Sequence, residues 1–128
     1  MQGYRSLRAW QVAQELSLGT LKVTDTLTSP RVRTVLDQLR RAALSVDINI
    51  VEGYALGTVP LFRRHVRIAL GSAAESQRLL EIAAQREYLP VDTVNRLLET
   101  ADETIACLTG LLRSRKVSFS DRPRQTQP

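Results

Sequence analysis

Two carboxylates, Glu52 and Glu75, and one imidazole, His65, are the residues of this 128-residue chain whose types and spacing first suggest proton chemistry. Two carboxylates can divide general acid and general base work when they flank a substrate. Nothing else in the sequence assembles a substrate site around this pair, so a structural role is the better reading. A single histidine excludes two-histidine metal sites and the paired Glu-x-x-His motifs of di-iron bundles. A single cysteine, Cys107, excludes an internal disulfide and a cysteine zinc cluster. Lying in an apolar turn of a helix, it reads as a small hydrophobe. There is no Walker loop, HExxH or G-x-G-x-x-G. The run GSAAES at 71–76 falls inside a helical pattern, where Gly71 and Ser72 would let helices approach closely. The expectation is no catalytic residue, no metal, no cofactor and no small-molecule substrate.

The remaining chemistry is that of arginine. Sixteen of the eighteen basic residues are Arg, the better phosphate binder. Residues 113–128 hold five basic residues against Asp121 alone, so +4 of the net +5 sits there. Two clusters stand out, Arg63, Arg64 and Arg67, then Arg113, Arg115 and Lys116. Each is a candidate contact for nucleic acid or a partner. Taken alone, each reads more simply as a solvated face, and the second also complements a helix C-terminus.

The elements that carry these residues are helical. Apolar residues recur at steps of three and four, and no sustained period-two alternation competes. The pattern predicts helices over 6–28, 31–56, 59–87 and 90–116, with Ser6 and Thr58 as N-caps, Pro60 in a first turn and Gly57 closing the second helix. Residues 1–116 therefore form one all-α domain, a single up-down-up-down four-helix bundle. Residues 117–128 read as a flexible, basic, polar tail. No apolar run reaches the ~18 residues of a membrane span. The opening MQGYRSLRAW lacks the apolar stretch of a secretory signal, and a lone cysteine suits a reducing cytoplasm.

The second and third helices are apolar on more than one side. On the second, Leu36, Leu39, Ala43, Val46 and Ile50 form a core stripe, while Leu44, Ile48 and Val51 form another. The third has a core stripe through Phe62, Val66 and Ala69 and a further line through Leu61, Ile68 and Leu79. One core needs one stripe per helix. The extra residues, Leu44, Ile48, Val51, Leu61, Ile68 and Leu79, are expected to meet another subunit. Arg41, Ser45, Asn49, Glu52, Ser72 and Glu75 lie among them. They form either a hydrogen-bonded network with Arg41 pairing both glutamates, the preferred reading, or a solvated stripe.

The block LDQLRRAALSVDINIVEGYALG, followed by LFRRHVRIALGSAAESQRLLEIA, resembles the four-helix-bundle proteins encoded within intervening sequences of bacterial 23S ribosomal RNA genes. The opening YRSLRAWQVAQEL is similar to their first helix, so the likeness spans roughly 4–115. The resemblance implies a bundle assembled as a ring-shaped homo-oligomer, commonly a pentamer, with no established enzymatic activity. The accessory protein of diversity-generating retroelements has a similar fold and pentameric form and binds a reverse transcriptase and nucleic acid. This chain departs from its relatives at Asp47, where they carry Pro, at Arg63 and His65, where they are apolar, and at Leu61, where they are polar. The functional expectation is a non-enzymatic oligomeric module that engages RNA or an RNA-associated protein through its arginines. The alternative is a protein–protein adaptor with no nucleic-acid role.

Overall fold

The structure, a computed structural model, describes residues 3–114; the tail at 117–128 and the cluster residues Arg115 and Lys116 lie outside them. Four α-helices, and no strand among the described residues, follow a short 3-10 turn at Gly3–Ser6. These are α1 (Arg8–Thr24), α2 (Pro30–Leu56), α3 (Val59–Gln85) and α4 (Val91–Arg113).

Helix ends follow local chemistry. Ser6 does not cap α1; its hydroxyl donates to Gly3 O at 2.8 Å and closes the preceding turn. α1 stops at Thr24 rather than Thr28, in a stretch of Asp, Thr and Ser residues that compete for the backbone. There Thr24 Oγ1 donates back to Thr20 O at 2.7 Å. Ser29 accepts from Arg31 N and Pro30 opens α2, where its missing N–H costs nothing. Gly57, at φ 79°, ends α2, and Thr58 accepts from Leu61 N to begin α3. α3 stops two residues short of Glu87 because Glu87 turns left-handed at φ 58° and Tyr88 N donates to Ala83 O at 2.7 Å.

Each helix packs on two others: α1 and α3 both lie against α2 and α4. Between α2 and α3, Gln38 meets Glu75, Ser45 meets Ser72 and Asn49 meets His65. Residue numbers thus fall along one helix as they rise along its neighbour. The core stripes of α2 and α3 are buried throughout, with Leu36, Leu39, Val46, Ile50, Phe62 and Leu80 at 1% exposure or less. α4 buries Val94, Leu97, Ala101, Thr104 and Leu108, a stripe at steps of three and four. Leu97 and Thr104 are buried, whereas Leu98, Ile105 and Leu112 are half-buried. Thr104 tolerates this because its hydroxyl donates to Thr100 O at 2.7 Å. α1 buries Ser17, Thr20 and Thr24 beside Val12, Ala13 and Leu16 and leaves Leu18 exposed. Such small residues allow close approach, and a Cβ on Gly19 would stand 3.1 Å from Leu97 Cδ2.

Candidate functional site

Arg63 of the first arginine cluster and Arg113 of the second lie at one end of the bundle. α3 begins where α4 finishes, and Arg63 Nη1 donates to Ser114 O across the gap at 3.5 Å. Arg63 is half-buried, while Arg64, Arg67 and Arg113 are exposed. None of the four forms an ion pair among the described residues. The N-terminal turn adds Arg5, whose guanidinium lies 4.6 Å from the Tyr4 ring centroid, with Trp10 edge-on to Tyr4. Arg8 is neutralised by Glu103, whose hydrogen bond and charge raise the arginine's pKa further.

The α2–α3 face carries the polar line. Asn49 Nδ2 donates to Ser45 O at 2.8 Å, which leaves Asn49 Oδ1 to accept from His65 Nδ1 at 2.9 Å. The Ser45 and Ser72 hydroxyls are 2.8 Å apart, and Glu52 stands 3.8 Å from His65 Nδ1. On this face Ile48 is 48% exposed and Ile68 44%; Leu61 is exposed too, and Leu44, Val51 and Leu79 are half-buried.

The expected pairing of Arg41 with both glutamates does not form. Arg41 is exposed and makes no ion pair among the described residues, and Glu75 instead accepts from Gln38 at 2.5 Å. Glu52 and Arg41 are eleven residues apart on one helix, ~16 Å of rise, too far for one side chain to hold both carboxylates. By the same spacing Glu52, beside His65, and Glu75, beside Gln38, are ~15–21 Å apart and cannot share a reacting bond. Gly71 is exposed with nothing near it; the close helix approach is at Gly53, where a Cβ would meet His65 Cβ at 2.7 Å.

Reading along single helices missed the contacts of Asp47. Its carboxylate accepts from Trp10 Nε1 at 2.9 Å and from Ser17 Oγ at 2.8 Å, tying α1 to α2. Cys107 is half-buried; burial, then the nearby Glu103 charge, pushes its thiol pKa up, partly offset by Arg8. Among the described residues, no group of three His, Cys, Asp or Glu side chains could hold a metal. No helix there is long and apolar enough to cross a membrane.

A crystal structure of a protein of unknown function from the S23 ribosomal protein family of Bacteroides thetaiotaomicron has a similar fold, with a TM-score of 0.76 and 19% identity. The likeness covers 83% of this chain and 99% of that one. No curated protein sequence matches the chain. Residues 5–110, nearly all of the bundle, match the family of 23S rRNA-intervening sequence proteins, and to that family this chain belongs.

Proposed function

We propose that the protein is a non-enzymatic cytoplasmic module that assembles with copies of itself and engages RNA through its arginine-rich end. The observation that carries this reading is the contact of Arg63 with Ser114, which brings the start of α3 beside Arg113 at the end of α4, while Arg63, Arg64, Arg67 and Arg113 have no carboxylate partner among the described residues. Unpaired guanidinium groups at one pole suit a polyanion, because each phosphate contact releases a condensed counterion. The up-down-up-down arrangement is supported by the opposed running of paired residues on neighbouring helices. Self-association is supported by Ile48, Leu61 and Ile68, exposed around a half-buried polar line. A ring of subunits, five by resemblance to relatives, would repeat each arginine cluster and turn weak contacts into avidity.

The test is a salt titration with a structured RNA hairpin. Binding that weakens steeply from ~50 to ~200 mM salt, with a shallower slope in an Arg63→Ala, Arg64→Ala, Arg67→Ala variant, is expected. No binding at ~50 mM salt by an intact oligomer would overturn the RNA reading. A protein partner that co-purifies and survives nuclease would then favour an adaptor.

A further inference from the structure

At the opposite end of the bundle the α1–α2 turn meets the α3–α4 turn, and their side chains line a groove of about 500 Å³. Leu27, Thr28, Ser29, Arg31, Val32 and Tyr88 face it. We propose that this groove binds an unpaired nucleotide, with the base against Leu27 and the Arg31 guanidinium that lies on Tyr88, and the phosphate held by Arg31 and Arg86. This goes beyond the RNA reading by adding a second site, and the two fail separately.

Charge is the first argument. Beside the two turns, Arg40 is neutralised by Asp25 at 2.9 Å and Arg33 pairs with Asp37 at 3.8 Å. Arg31 and Arg86 form no ion pair among the described residues. Both instead lie on Tyr88, with their Cζ atoms 5.0 and 5.9 Å from its ring centroid. Two guanidiniums gathered on one aromatic ring leave their N–H groups available to an anion.

Shape and rigidity are the second. Tyr88 is half-buried against the cluster of Val32, Leu36 and Leu89, and its N–H is fixed on Ala83 O by the left-handed turn at Glu87. The turn fixes the backbone at Tyr88, and packing on the cluster places the ring. The groove is open on one side, which suits a ligand that remains part of a strand. Leu27, 37% exposed, offers an apolar surface, while Thr28 and Ser29 offer hydroxyls to a sugar or phosphate. A flat ring bearing a phosphate uses all of these features. Duplex RNA does not, because its base faces are already stacked.

The test measures binding of the full chain to a fluorescein-labelled decauridylate and to a blunt RNA duplex at ~50 mM salt. Tyr88→Leu should weaken decauridylate binding about tenfold or more, and Tyr88→Phe should leave it within about twofold, because the ring holds the guanidiniums that meet the base and phosphate. Arg31→Gln should weaken it and flatten the salt slope by about 0.7. Neither variant should change duplex binding, which is the readout for the Arg63 end. Displacement of decauridylate by adenosine monophosphate would show that a free nucleotide fills the groove, and failure to displace would show that a strand is needed; both keep the site. Unchanged decauridylate binding in Tyr88→Leu and Arg31→Gln, with helical circular dichroism intact, would overturn the proposal. So would inorganic phosphate competing as well as the nucleotide, because the base would then contribute nothing.

Discussion

Gly53 on α2 faces His65 on α3 so closely that a Cβ at Gly53 would lie 2.7 Å from the His65 Cβ. The two backbones can approach there because one residue has no side chain. That approach brings His65 Nδ1 within reach of Asn49 and Glu52.

Gly53→Ala therefore has two opposed effects. Alanine gains about 1 kcal/mol in helix propensity, but the overlap meets a Cβ rather than a flexible side-chain end, so the helices must move. The net expectation is a loss of about 1–2 kcal/mol in urea unfolding. Gly110→Ala, at a site with nothing within 4 Å, should instead gain roughly 0.5–1 kcal/mol.

Asp47 joins α2 to α1 through Trp10 and Ser17. Asp47→Ala should cost about 2 kcal/mol, because hydrogen bonds to a charged acceptor are the stronger kind and the Trp10 N–H loses its partner. Denaturant unfolding followed by Trp10 fluorescence reads both the stability and the altered indole environment.

Glu87 holds a left-handed backbone at φ 58° that glycine adopts without strain, and its charge sits at the C-terminal end of the α3 dipole. Glu87→Gly should stabilise the fold by about 1 kcal/mol and raise Tm by roughly 4 °C in a calorimetric scan.

Cys107 has a thiol pKa raised above its ordinary value, first by burial and then by Glu103. The folded state thus favours the protonated thiol. Its contribution to stability is complete below the unfolded-state pKa and is lost as pH rises through the folded one. Iodoacetamide should label folded Cys107 with a pH midpoint above that of the urea-unfolded chain, because the thiolate is the nucleophile. A lower midpoint in the folded state would contradict the assignment.

Periodicity along single helices was enough to find the core stripes of α2 and α3, and Gly57, Thr58 and Pro60 marked the break between them, because all of these are local signals. What the sequence hid depends on how helices are rotated against one another. Leu97 and Leu98 are equivalent by spacing, and only the packing of the helices buries the former, in the cluster of Leu36, Leu80 and Val94. Asp47 finds Trp10 and Ser17 thirty or more residues away, and His65 finds Asn49 sixteen away. Arg41 and Glu52 share a polar line but stand eleven residues apart along α2, and Glu75 is taken by Gln38, so neither pairs with Arg41 among the described residues. Tyr88 belongs to no periodic stripe, so its two arginines emerge only when the turns are brought together.

The account rests on chains that cover one another's Ile48–Ile68 face and present their Arg63 ends to RNA. Sedimentation velocity of the intact chain at micromolar concentration with a structured RNA hairpin, at ~50 mM salt, tests both parts in one run. The expected boundary is a particle of several chains carrying RNA absorbance, which releases the RNA but keeps its protein mass at high salt. Single chains sedimenting apart from free RNA would contradict it.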